Sequence, residues 1–256
     1  MILTDTHTHL YSEQFNDDID VVIQNCIAKG IERLFLPNID SSSIDGMMKL
    51  GTDYPNNCFP MMGLHPTSVG ENYKEELTIV EEWLNKHQFC AIGEIGIDLY
   101  WDKTLLKQQQ DAFRFQIGLA KKHNLPFVIH CRDSFDEIFE ILDELNDDKM
   151  RGIFHCFTGT VEQANHIINY GDFKIGIGGV VTFKNSGLDK VVEQIDIKHL
   201  VLETDSPYLS PTPYRGKRNE STYLLGIAEK VADIYNISVE EVAKITTKNS
   251  KEIFGF

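Results

Sequence analysis

Apolar positions along this chain alternate between two patterns. Short runs rich in Ile, Val, Leu and Phe recur at Ile2–Thr6, Arg33–Asn38, Phe59–Leu64, Phe89–Ile95, Phe127–His130, Gly152–His155, Phe173–Gly178 and Leu200–Thr204. Their length and branched or aromatic content predict strands. The stretches between them carry apolar residues at helical spacing. Ile19, Val22, Ile23, Cys26 and Ile27 form one stripe that Gly30 ends. Ser134 with Glu137, and Thr160 with Gln163, have the spacing of capping boxes before further stripes. Leu224, Ile227, Ala228, Val231 and Ala232 repeat the pattern, and Ser238 with Glu241 opens a last helix.

Strands that alternate with helices predict an α/β protein with a parallel sheet covered by helices. Eight such units suit a (β/α)8 TIM barrel, which typically takes ~250 residues; the chain has 256. One barrel domain over 1–256 is the expectation, with an open doubly wound sheet as the alternative.

Composition narrows the function classes. With 24 basic and 39 acidic residues the net charge is −15, which argues against a broad face for wrapping nucleic acid. No apolar run approaches the ~18 residues of a membrane span. The N-terminal residues lack a secretory pattern, so a cytoplasmic location is expected. Five cysteines, an odd number with no C-x-x-C pair, do not suggest a disulfide framework.

The chemistry concentrates where strands end. His7 and His9 follow the first strand two apart, so they project the same way. Glu94, His130, His155 and Asp205 end the fourth, fifth, sixth and eighth. The C-terminal ends of barrel strands are where active sites are built, and buried His and Asp are disfavoured unless paired or coordinated. Four imidazoles and two carboxylates exceed one tetrahedral site and suit two bridged divalent ions. Glu94 is the natural bridge, with His7, His9 and Asp205 on one ion and His130 and His155 on the other. Such a mixed nitrogen and oxygen set takes Mg, Mn or Zn, and Co as well. Asp5 and Glu203 are placed to orient ligands from behind. His65 faces the same rim, as does Arg132, and Arg215, Lys217 and Arg218 cluster after the eighth strand. All five are placed as substrate contacts: the four basic residues suit an anionic group, with a solvated charged loop as the alternative, and His65 suits a substrate or ligand-supporting role, with a plain loop role as the alternative. Cys131 and Cys156 each follow a ligand histidine by one and are expected to face the helices. Gly176 is read as letting the seventh strand come close to the site.

Taken in order, Asp5-Thr6-His7-Thr8-His9, Gly63-Leu64-His65-Pro66, Gly93-Glu94-Ile95-Gly96-Ile97-Asp98, His130-Cys131-Arg132, His155-Cys156-Phe157-Thr158-Gly159, Glu203-Thr204-Asp205-Ser206-Pro207 and Arg215-Gly216-Lys217-Arg218-Asn219 resemble the TatD family of metal-dependent deoxyribonucleases. The resemblance covers nearly the whole chain. It implies an amidohydrolase-type barrel with a dinuclear centre, the same six ligands, and magnesium-dependent exonuclease-type hydrolysis of DNA. The chain departs from the family where Leu99 stands between Asp98 and Tyr100, and where Ser221 follows Asn219-Glu220. The expected activity is phosphodiester hydrolysis at DNA strand ends without sequence specificity, with Asp205 as proton acceptor beside Glu94, in a monomer. The alternatives are an amide, ester or lactone hydrolase on the same scaffold, and a non-catalytic metal-dependent nucleic-acid binder.

Overall fold

Eight parallel strands follow one another around a ring in the computed structural model, which describes residues 1–256. They are β1 (Leu3–Asp5), β2 (Ile31–Pro37), β3 (Cys58–Met61), β4 (Ile92–Asp98), β5 (Phe127–Arg132), β6 (Gly152–Phe154), β7 (Phe173–Ile177) and β8 (Leu200–Leu202). Regular ladders join β1-β2-β3 and β4-β5-β6-β7-β8. Two seams remain, and each is closed by backbone bonds. Between β3 and β4, Met62 N–H donates to Ala91 O at 3.2 Å and Gly93 N–H to Met62 O at 3.0 Å. Between β8 and β1, Thr6 N–H donates to Leu202 O at 3.0 Å and His9 N–H to Ser206 O at 2.7 Å. The sheet is therefore a closed barrel, and the open alternative is excluded.

The helices are α1 (Ile19–Ala28), α2 (Ile44–Asp53), α3 (Tyr73–Lys86), α4 (Leu106–His123), α5 (Phe135–Leu145), α6 (Val161–Asn169), α7 (Leu188–Val192), α8 (Leu224–Tyr235) and α9 (Val239–Phe254). The Thr160–Gln163 capping box forms in full. The Ser134–Glu137 box does not: Ser134 Oγ donates instead to Ile97 O at 2.6 Å, pinning α5 to β4. Ser238 caps α9 by accepting from Glu241 N–H at 3.1 Å. No helix is long and apolar enough to cross a membrane, and all five cysteines are free thiols.

One register inside the barrel leads from an apolar floor to the site. Phe35, Met61, Ala91, Val128, Ile153 and Val201 form the interior layer, closed below by Ile253 and Phe254 of α9. Two residues beyond Val128, Ile153 and Val201 come His130, His155 and Glu203. The strand period of two thus turns an apolar layer into a polar one at the C-terminal rim. A separate cluster of 56 buried residues fills the space between strands and helices.

Candidate metal centre

Glu94 stands at the middle of the polar layer. Its Oε2 lies 3.0 Å from His7 Nε2 and 3.6 Å from His9 Nε2. Its Oε1 lies 2.8 Å from His130 Nδ1 and 3.0 Å from His155 Nε2. Asp205 Oδ1 completes the first group at 3.8 Å from His7 Nε2 and 3.6 Å from His9 Nε2. All six expected ligands therefore meet, with one oxygen of Glu94 turned to each half. Strict alternation from the interior residue Ala91 would have pointed Glu94 outward. The ladder between β4 and β5 shifts register between Ile92 and Ile95, and this irregularity re-aims the carboxylate inward.

The donor set calls for a cation. The carboxylates of Glu94, Asp205 and Glu203 have histidines as their only charged partners within ion-pair distance; no lysine or arginine reaches them. Buried carboxylates without a counter-charge are costly. Hydrogen bonds also fix which imidazole nitrogens are free. Tyr11 donates its hydroxyl to Pro37 O, so His9 Nδ1–H donates to the Tyr11 oxygen at 2.8 Å and leaves Nε2 bare. His155 Nδ1–H donates to Glu203 Oε1 at 3.1 Å, so Nε2, 3.0 Å from Glu94 Oε1, is the nitrogen that would turn to an ion once its own proton is shed. Two buried atoms at this site, His7 Nδ1 and Glu203 Oε2, lack any hydrogen-bond partner.

His65 is different. Its Nδ1 accepts from Thr67 N–H at 3.1 Å, so the proton sits on Nε2, which points at Glu94 Oε1 3.4 Å away. It presents a donor into the site, and the same Nε2 stands 3.2 Å from His130 Nδ1, so His65, Glu94 and His130 form one compact cluster.

The protonation pattern of the metal-free chain follows from burial and neighbours. Burial lowers His7 to about 4, with His155 adding to the effect. Burial raises Asp205 to about 7, against the opposing pull of His155. For His155, burial is outweighed by Glu94 and Glu203, which hold it well above its usual value. For His130, burial is likewise outweighed by the hydrogen-bonded Asp98 and Glu94. Two imidazoles thus hold protons where a bound cation would place its charge.

The supporting residues were partly legible. Glu203 holds His155 as expected, and Gly176 makes room for it: a Cβ there would stand 2.4 Å from Glu203 Oε2. Asp5 does not touch a ligand ring. It accepts from Thr204 N–H at 2.9 Å, Thr204 Oγ1 at 2.6 Å and His7 N–H at 3.3 Å, so it fastens the β8–β1 seam beneath the ligands. Burial raises its carboxyl to about 7, partly offset by the Thr204 bonds. Two residues were missed in this role. Tyr11 sets the His9 tautomer, and Asp98 accepts from His130 Nε2 at 2.8 Å. Both lie at even spacing from a ligand, Tyr11 two after His9 and Asp98 four after Glu94, which was the available signal.

The rim corrects several sequence assignments. A cavity of about 720 Å³ opens over the site, with His9, His65, Arg132 and Asp205 in its wall. The basic loop does not act as a unit. Arg218 is committed elsewhere, donating to Asp18 Oδ1 and Oδ2 at 2.8 and 2.6 Å and to Glu220 at 2.9 Å. Arg215 stacks over Phe183 at 3.6 Å beside a separate shallow depression, and Lys217 is exposed. Cys131 and Cys156 both border the cavity instead of simply facing helices. β6 ends at Phe154 and Cys156 takes a left-handed φ of 47°, so strand alternation no longer governs its direction. Of the departures noted above, Leu99 turns into the core, and Ser221 is buried against Thr8 Oγ1 at 3.1 Å. His87, His123, His166 and His199 lie outside the cavity wall.

Residues 4–255 match the family model described as TatD related DNase. The metal-dependent hydrolase YabD of Bacillus subtilis is 39% identical over 254 residues, covering 99% of both chains. The metal-dependent hydrolase YcfH of Escherichia coli is 31% identical over 99% of this chain and 96% of its own. Among solved structures, the TatD homologue YjjV of Escherichia coli superposes with a TM-score of 0.93 at 25% identity, over 99% of this chain and 98% of that one. An organophosphorus hydrolase from Deinococcus radiodurans, at 13% identity and a TM-score of 0.72 over 99% and 92% of the two chains, shares the fold.

Proposed function

Because this chain belongs to the family of TatD-related DNases and is a metal-dependent hydrolase, we propose that it hydrolyses phosphodiesters at DNA strand ends with two divalent ions. The observation that carries this reading is the split of Glu94, one oxygen toward His7 and His9 and the other toward His130 and His155. His7, His9, Glu94 and Asp205 would hold one ion, and Glu94, His130 and His155 the other; Mg, Mn and Zn all accept such donors. Bound there, divalent ions polarise a phosphoryl oxygen and lower the pKa of water.

The chain's own groups do the rest. Asp205, whose side chain keeps 14% exposure, faces the cavity and accepts the proton of the attacking water. His65 donates its Nε2–H toward a phosphoryl oxygen, held in that tautomer by Thr67. Arg132, exposed at the cavity mouth, pairs with a phosphate of the strand, and Lys217 and Arg215 lie further out. The −15 net charge supports contact through a strand end at a cationic centre over wrapping of a duplex. No partner subunit enters this reading.

The test is hydrolysis of bis(p-nitrophenyl) phosphate and an end-labelled oligonucleotide by chelated and metal-restored protein, beside a panel of amides, esters and lactones. Metal-dependent phosphodiester turnover is expected. Faster turnover of a carboxylic ester, lactone or amide would overturn the reading, as would oligonucleotide binding without cleavage.

A further inference from the structure

Beside the metal centre the chain exposes an aromatic pair that its core does not need. Trp101 is 72% exposed and Tyr100 is 53% exposed, although large aromatic rings are usually mostly covered. They are held in place from within the site. Asp98 Oδ1 accepts from Tyr100 N–H at 3.0 Å and Trp101 N–H at 3.3 Å, while its Oδ2 binds His130 Nε2 at 2.8 Å. One carboxylate therefore couples the aromatic turn to a ligand imidazole. Leu99 anchors the turn by burying its side chain in the core and donating its N–H to Arg132 O at 2.9 Å. The Arg132 guanidinium lies 3.7 Å over the Tyr100 ring and 5.6 Å from that of Trp101. The two rings meet edge to face, with centroids 4.9 Å apart. Trp101 and Arg132 are both part of the wall of the cavity over the ligands.

We propose that Trp101, with Tyr100 and Arg132, is a nucleobase-binding subsite that stacks an unpaired base of the strand whose phosphodiester lies at the metal centre. Exposed aromatic faces beside a cation are what unpaired bases stack on, and every base offers a π-face, so the subsite reads no sequence. Arg132 then serves two neighbours at once, its plane on Tyr100 and its N–H edge on the adjoining phosphate. A base paired in a duplex has its faces covered and cannot enter. The proposal rests on the phosphodiester reading above and adds to it the part of the substrate that is not phosphate.

The experiment compares a short oligonucleotide with its abasic counterpart of equal length, cleaved by metal-loaded wild type, Trp101→Ala and Trp101→Phe. Stacking worth ~1–3 kcal/mol per base sets a KM at least about fivefold lower for the base-bearing strand with wild type. That gap should close in Trp101→Ala and persist in part in Trp101→Phe. Because Trp101 is exposed, these variants should keep the melting temperature of the wild type. Equal KM values for both strands with wild type would overturn the subsite and leave the phosphodiester reading standing. A gap that survives intact in Trp101→Ala would also overturn it. Cleavage of neither strand would overturn the phosphodiester reading and the subsite together.

Discussion

Glu203 reaches His155 only because residue 176 has no side chain: a Cβ on Gly176 would stand 2.4 Å from Glu203 Oε2, while the other oxygen accepts His155 Nδ1–H at 3.1 Å. The hydrogen bond that prepares the ligand nitrogen thus depends on a backbone approach from the neighbouring strand. Gly176→Ala should push Glu203 off the imidazole, and Glu203→Gln should weaken the same bond without crowding. Groups that orient metal ligands are worth about 10–100-fold in metal affinity. Metal titration monitored by activity should show that loss in both variants, and unchanged affinity in Glu203→Gln would refute the orienting role.

Asp205→Asn keeps the shape of the side chain but removes its charge and basicity. Turnover should fall by at least about 10²-fold, the scale of a lost general base. The measurement is kcat at saturating metal, and a value near wild type would remove Asp205 from the mechanism.

Metal uptake should release protons. His130 and His155, held above the ordinary imidazole value chiefly by their carboxylate partners against the cost of burial, carry protons in the metal-free chain. A ligand nitrogen must shed its proton, so affinity should rise with pH through their titration and fall toward acid. His7, lowered to about 4, adds no dependence until far lower pH, whereas Asp205, raised to about 7, also sheds a proton near neutral pH. Calorimetry near pH 7 in two buffers of different ionisation enthalpy checks this; identical binding enthalpies would mean that no proton leaves.

Chelation should abolish turnover and also lower the melting temperature. Ions that bind the folded chain stabilise it by about 2.7 kcal/mol at a hundredfold excess over Kd. For a chain of this size that is a shift of several degrees. A melting curve indifferent to chelator would show that the ions are held too weakly to matter for the fold.

Arg218 should behave as a structural tie. Its guanidinium grips Asp18 by two bonds and lies 4.4 Å from the Phe15 ring. Both partners are partly exposed, so Arg218→Ala should cost about 1 kcal/mol or less. Its hydrogen bond to Arg218 lowers the pKa of Asp18. The contribution is therefore present at neutral pH and lost as acid protonates Asp18 below the usual carboxylate range. Lys217→Ala, by contrast, should leave melting unchanged and flatten the salt dependence of oligonucleotide cleavage. Equal behaviour of the two variants in both assays would reject this division.

The barrel and the side chains gathered at its rim were readable in the sequence because both follow from short-range covalent geometry. A period of two along a strand carries Val128 to His130 and Ile153 to His155, so the apolar runs predicted the strands and their last residues predicted the site. The same period failed at Glu94, where the register shift beside β5 turns the carboxylate inward. It failed again at Cys156, where the strand has already ended. Arg218 was misassigned for another reason. Its partner Asp18 is 200 residues away, and no local pattern shows which of several basic residues will meet a distant carboxylate. The sequence by itself determined which side chains stand at strand ends. Only the closed ring, with its strands and loops brought together, decided which of them share a cavity, which nitrogens of His9 and His155 are tied back by hydrogen bonds, and which charges are already spoken for.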